Sequence, residues 1–146
     1  MKFVHMLVLA LVLPLASFAQ EGRPESRIIA ARGVTLAEFL WIKRPVLIFA
    51  DSPNDPNYRR QVELIQAGAD QLAEYDVVVI ADADPAGHSF LRQKFRPRGF
   101  SLVLLDKDGE AKIRKPLPWD VREITHAIDK FPLTRQEMLD RYPSGR

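Results

Sequence analysis

The chain has 146 residues, with 21 Lys and Arg against 19 Asp and Glu, a formal charge of +2 and no cysteine. That length suits one domain, and so even a charge argues against nucleic acid or an anionic membrane surface as a partner. Thiol–disulfide exchange and cysteine peroxidase chemistry need a protein thiolate, so both are excluded, and no disulfide can staple the fold.

At the N-terminus Lys2 precedes the apolar run Met6 to Phe18, and Ser17 and Ala19 occupy the small-residue positions of a cleavage site before Gln20. This pattern predicts a signal peptide over residues 1–19, removed after Ala19. The run is shorter than the ~20 apolar residues of a membrane span and contains Pro14. No cysteine follows it for lipid attachment. The mature protein is therefore expected to be secreted or periplasmic, with no membrane contact after cleavage. Residues 20–34, polar and carrying Arg23, Pro24, Glu25 and Arg27, are expected to form a loose lead-in.

Thr35-Leu36-Ala37-Glu38 is a capping box opening a short helix on which Leu36, Phe39 and Leu40 recur at helical spacing. Arg44-Pro45 ends that helix, and Val46 to Ala50 is a continuous apolar run, as in a strand covered on both faces. Asp55-Pro56 reads as an N-cap followed by proline at the first helical position. The longest helix follows, with Tyr58, Val62, Ile65, Ala69 and Leu72 on one stripe. Gly68 inside it costs about 1 kcal/mol against alanine, which suggests a close approach to the sheet.

Val77 to Ala81 predicts a second buried strand. Asp84-Pro85 repeats the cap-and-proline pattern and opens a short helix to Phe95. Lys94, Arg96 and Arg98 make a basic connection too small for a nucleic-acid footprint. Leu102 to Leu105 is a third buried strand, Lys107-Asp108-Gly109 a hairpin turn, and Glu110 to Arg114 an edge strand with Ala111 and Ile113 inward. Pro116 and Pro118 break the chain. Asp120 to Glu123 is a second capping box, before a helix with Val121, Ile124, Ile128 and Phe131 inward, and Trp119 is expected to pack on it as a staple. Thr134 to Glu137 is a third box, opening a terminal helix, and residues 142–146 form a tail.

This order predicts an α/β, thioredoxin-like domain over residues 35–141. It would be a βαβ unit plus a β-hairpin and helix, with a four-stranded mixed sheet flanked by helices. Three sets of residues carry a narrower likeness. Arg44-Pro45 with Ala50, Ser52 and Gln61 is the first. Leu104-Leu105-Asp106-Lys107-Asp108-Gly109 with Lys112 is the second. Ile128-Asp129-Lys130-Phe131-Pro132 with Arg135, Glu137 and Met138 is the third. Together they resemble domain of unknown function 4174, a peroxiredoxin-like domain of short exported bacterial proteins that also occurs in extracellular sushi-repeat proteins. Asp51 and Phe131 depart from that pattern. The resemblance implies fold and export, and no established activity.

The junction that holds the reactive cysteines of a thioredoxin reads Asn54-Asp55-Pro56-Asn57 here. Ser101 falls where thioredoxins carry a cis-proline, so the Phe100–Ser101 bond is expected to be trans. The candidate binding residues at this remnant edge are Asp51, Asn54, Asp55, Asn57, Asp82, Arg98 and Ser101. Asp51, Asp55, Asp82 and Asp84 with His88 have the composition of a hard-cation site. Caps account for Asp55 and Asp84, however, and pairing with Arg98 for Asp51 or Asp82. No recognisable motif places a nucleophile beside His88, and Ser52 and Ser89 read as loop and helix-surface residues. No catalytic residue, metal ligand or cofactor is therefore assigned. The leading expectation is an exported, non-catalytic thioredoxin-like module that binds an unidentified envelope or extracellular protein at this edge. Two alternatives are a non-thiol redox accessory or peroxiredoxin-like enzyme, supported by family analogy alone, and a small cation-binding domain.

Overall fold

The computed structural model describes residues 28–143. The signal peptide expected at 1–19, residues 20–27 of the lead-in and residues 144–146 of the tail lie outside them. Five strands form one sheet in the order β1-β3-β2-β4-β5: β1 (Ile28–Ala30), β2 (Arg44–Phe49), β3 (Val77–Asp82), β4 (Ser101–Leu105) and β5 (Ala111–Lys115). β1, β3 and β2 run parallel, and β4 and β5 are antiparallel to their neighbours. The sheet has one strand more than the four expected, because β1 lies in the segment read as lead-in. Three residues are too few to show an alternating pattern. The outer side of β3 nevertheless presents N–H and C=O groups that need partners, and Ile28 to Ala30 supply them opposite Val79 to Ala81.

The central strands are buried on both faces. Val46 and Ile48 of β2 join one core with Val79, Leu102 and Leu104. Leu47 and Phe49, pointing the other way as strand alternation requires, join Ile80, Val103 and Leu105 in a second. Helices α1 (Pro56–Ala67), α2 (Ala69–Glu74) and α4 (Val121–Ile128) supply Ile65, Leu72, Val121, Ile124 and Ile128 to the first core, and α3 (Phe90–Phe95) supplies Leu91 to the second. The terminal helix is α5 (Pro132–Arg141).

Several local expectations change for identifiable reasons. The expected long helix is two, α1 and α2, divided at Gly68. A Cβ built there would lie 2.5 Å from Val121 Cγ2 and 2.6 Å from Val121 Cβ, so the close neighbour is α4 rather than the sheet. The first capping box opens only a 3-10 turn, Leu36–Phe39, in which the Glu38 carboxylate accepts from the Thr35 N–H at 3.3 Å. The box at Asp120 and Glu123 forms in both directions at 2.8 Å. The third box does not form. Pro132 sets the first turn of α5 two residues before Thr134, and Glu137 is drawn elsewhere. Asp84 makes no cap hydrogen bond, since Pro85–Gly87 is a 3-10 turn; Ser89 caps α3 instead, accepting from the Arg92 N–H at 3.1 Å. A register shift between Leu104 and Leu105 leaves Ala111 exposed.

The pole where β2 and β3 begin is closed by a buried ionic network. Arg44 is 1 % exposed, and its donors go three ways. Nε donates to Asp106 Oδ1 at 3.2 Å, Nη1 to the Tyr75 carbonyl at 3.1 Å and Nη2 to Glu137 Oε2 at 2.9 Å. Lys107 Nζ bridges Asp76 at 2.9 Å and Glu137 Oε1 at 2.7 Å. Burial opposes ionisation of Glu137, yet hydrogen bonds from Lys107 and Arg44 prevail and hold its carboxyl below the ordinary range. Burial likewise opposes the charge on Lys107, but its bonds to Glu137 and Asp76 prevail and hold its ammonium above the ordinary range.

Two predictions follow from this packing. Gly68→Ala should destabilise the protein by about 1–3 kcal/mol through overpacking, although helix propensity alone would favour alanine by ~1 kcal/mol. Adding Val121→Ala to Gly68→Ala should recover part of that loss in urea unfolding, and a more stable Gly68→Ala single variant would contradict the contact. The network sets a pH dependence. The Glu137 contribution is complete above its unfolded-state value of 4.5 and is lost as pH falls through the lower folded value. The Lys107 contribution is complete below 10.5 and is lost as pH rises through the higher folded value. Glu137→Gln should therefore flatten the fall in urea midpoint between about pH 5 and pH 3, and an unchanged slope would rule the carboxylate out.

Candidate functional site

At the opposite pole the parallel strands β1, β3 and β2 end together, and β4 begins with Ser101 opposite Phe49. After β2 the chain turns through Asp51 to Asp55 into α1. The Asp55 carboxylate accepts from the N–H groups of Asn57 at 2.8 Å and Tyr58 at 3.3 Å, capping the positive helix end. The hydroxyl of Ser52 accepts from the Asn54 N–H at 3.1 Å. Asp51 and Asn54 are exposed, and Asn57 is half-buried. Ser101 is buried, and every described peptide bond, Phe100–Ser101 included, is trans.

The electrostatic centre of this edge is Asp82, the last residue of β3 and 6 % exposed. Its partner is Arg92 on α3, not Arg98. Arg92 donates from Nε and Nη2 to Asp82 Oδ1 at 3.3 and 3.0 Å, and from Nη2 to the Ala50 and Asp82 carbonyls at 2.8 and 3.0 Å. Asp82 Oδ1 also accepts from the Asp84 N–H at 3.1 Å, and Oδ2 accepts from the Ser89 hydroxyl. Burial alone would raise the Asp82 pKa, but the bonds from Arg92, Ser89 and the Asp84 N–H outweigh it and hold the carboxyl below the ordinary range. The Arg92 guanidinium also lies 5.7 Å from the Phe49 ring centroid. Arg98 is exposed, on the β4 side of the edge.

Between the ends of β1 and β3 and the start of α1 lies a cleft of about 310 Å³, open to solvent. Asp82 and Ser89 line it, together with Arg32, Pro53, Tyr58 and Asp84. The Tyr58 hydroxyl is raised above its ordinary pKa, first by burial and then by the Asp82 charge, so it stays protonated at neutral pH. Of the residues expected at the edge, only Asp82 lines the cleft. Asp55 shapes it through α1, while Arg98, Asp51, Asn54, Asn57 and Ser101 are outside its lining. Among the described residues no group of three or more His, Asp or Glu side chains is placed to hold a metal. Sequence reasoning missed Arg92, Ser89, Tyr58 and Arg32 as site residues. Arg92 was the most accessible of these, because a carboxylate closing a fully buried strand needs a cation within side-chain reach.

This architecture is a thioredoxin-like fold. The chloroplastic thioredoxin z structure superposes with a TM-score of 0.55 at 16% sequence identity, covering 71% of this chain and 93% of that one. Residues 35–137 match the family described as domain of unknown function (DUF4174), and the chain belongs to that family. A search among curated proteins finds no match.

The Asp82–Arg92 pair can be tested through its sign. Arg92→Met would leave a buried carboxylate without its cation and should cost about 3 kcal/mol at pH 7. The wild-type contribution of Asp82 is present above its unfolded-state value of 3.8 and is lost as pH falls through the lower folded value. In Arg92→Met the carboxyl is instead pushed upward, so that variant should recover stability relative to wild type on acidification to about pH 4. Asp82→Asn in the Arg92→Met background should restore part of the loss at pH 7, and simple additivity of the two substitutions would contradict the pairing.

Proposed function

We propose that this protein is an exported, non-catalytic thioredoxin-like module that binds a partner protein, of the cell envelope or outside the cell, in the cleft between β1, β3 and α1. Asp82 carries this reading. Both of its oxygens are taken by Arg92, Ser89 and the Asp84 N–H, so the edge keeps a concave shape while its most buried charge is neutralised internally. Asp55 occupies the helix end that in a thioredoxin stabilises a thiolate. A thiol nucleophile is missing there, because the chain has no cysteine. In thioredoxins the equivalent edge receives a substrate peptide, and the thioredoxin z structure is described as defining a type-specific target recognition. Arg32, Tyr58 and Asp84 offer a cation, a hydroxyl donor and an acceptor around this cleft, which suits recognition of a polar backbone segment. Export rests on the residue pattern of positions 1–19.

A photo-crosslinking residue at position 84 should trap a protein adduct in the envelope fraction, and Arg32→Glu should abolish it. The same residue at position 98, outside the cleft, should trap none. Adducts from position 98 alone, or adducts from 84 indifferent to Arg32→Glu, would place binding elsewhere.

A further inference from the structure

We propose that the groove between α4 and β5 is a second docking site, which takes an extended acidic peptide bearing an apolar side chain. β5 is the outer strand of the sheet, and Pro116 and Pro118 prevent the chain from continuing along it. Helix α4 turns Val121, Ile124 and Ile128 into the core. Glu123, His126 and Ala127 of α4, with Lys130 just beyond its end, line the side that faces β5. Ala127 among them is small, which leaves a depression of about 510 Å³ floored by Ile113, Ala127 and Phe131. Trp119 forms its wall. Its backbone is anchored: the buried Gln61 amide donates to the Trp119 carbonyl at 2.7 Å and accepts from the Trp119 N–H at 2.9 Å. An aromatic wall on an anchored backbone, beside an apolar floor, makes an anchor pocket for one apolar side chain.

The rim names the occupant's charge. Lys115 Nζ lies 4.8 Å from the ring centroid of the Trp119 wall, and Lys130 is itself in the lining. Neither takes part in an ion pair among the described residues. Lys112 is satisfied within the hairpin by Asp108 and Glu110. The acid in the lining, Glu123, is engaged in capping α4, where its carboxylate accepts from the Asp120 N–H. The rim is therefore positive with two lysines unpaired, and it complements carboxylates flanking an apolar anchor. This groove lies on the β5 side of the sheet and the Asp82 cleft on the β1 side, so either can fail without the other.

The test uses a dye-labelled, end-blocked hexapeptide of four glutamates with one phenylalanine and one leucine, read by fluorescence anisotropy on the whole protein. Two control peptides replace the glutamates by lysine or the two apolar residues by serine. The acidic apolar peptide should bind at least about tenfold more tightly than either control. Lys130→Glu should weaken it by about fivefold or more, and added salt should weaken it further. Trp41→Phe removes the other tryptophan, which is 67 % exposed, so the emission of Trp119 alone should shift on saturation. Equal binding of the three peptides, no binding at about 1 mM, or binding that leaves Trp119 emission and the Lys130→Glu variant unaffected would overturn the proposal.

Discussion

A single buried guanidinium sets the terms for the rest of the chain. Arg44 stands at the head of a strand whose other residues are apolar, and it is as buried as they are. A charge in that position is tolerable only if each donor finds an acceptor. The acceptors come from three separate places: the turn after α2, the hairpin turn after β4, and α5. Asp106, itself fully buried, has its second oxygen 3.4 Å from the Leu133 N–H at the start of α5. Removing either charge would strand the other in a medium where it cannot be hydrated. The pair thus constrains where the C-terminal helix sits more tightly than its apolar contacts do, since Met138 and Leu139 on that helix are exposed.

This also explains which residues carry the family likeness. Arg44, Asp106, Lys107 and Glu137 each belong to one of the three motifs, and the fold brings them into one network. Gln61 of the first motif meets the backbone at Trp119, and the carbonyl of Ala50 receives Arg92. The motif residues Arg44, Gln61, Asp106, Lys107 and Glu137 are thus ones whose polar groups are satisfied inside the protein. They build the frame; the Asp82 cleft is lined by other residues, whereas Lys112, Lys130 and Phe131 of the same motifs line the groove along β5.

Much of the frame was legible because it is written in periodicity and caps. The three buried strands, the Asp55 cap and the reciprocal Asp120–Glu123 box all depend on residues a few positions apart, and local chemistry decides them. What escaped depends on distance. β1 is specified by the unpaired side of β3, some fifty residues away. The break at Gly68 is fixed by Val121 on another helix. Glu137 looked like the end of a capping box, but a buried cation competes better for a carboxylate than an N-terminal N–H does. The edge shows the same rule. Asp82 was recognisable as a charge ending a buried strand, yet its partner was sought in the exposed Arg98. Arg92 wins because it sits one turn beyond the Ser89 cap, on the helix already packed against Phe49 through Leu91 and Phe95.

The sheet is thus closed at each end by a buried arginine–aspartate pair, Arg44–Asp106 at one pole and Arg92–Asp82 at the other. A thioredoxin places its chemistry at the second pole, and a reactive site must keep at least one group unsatisfied. Here that pole is completed as thoroughly as the structural one: the carboxylate, the guanidinium and the helix end all have partners within the chain. An edge finished in this way holds its charged groups in place and, without a cysteine, has no thiol to react. Groups already ordered by such contacts lose little further conformational entropy in any later contact at this pole.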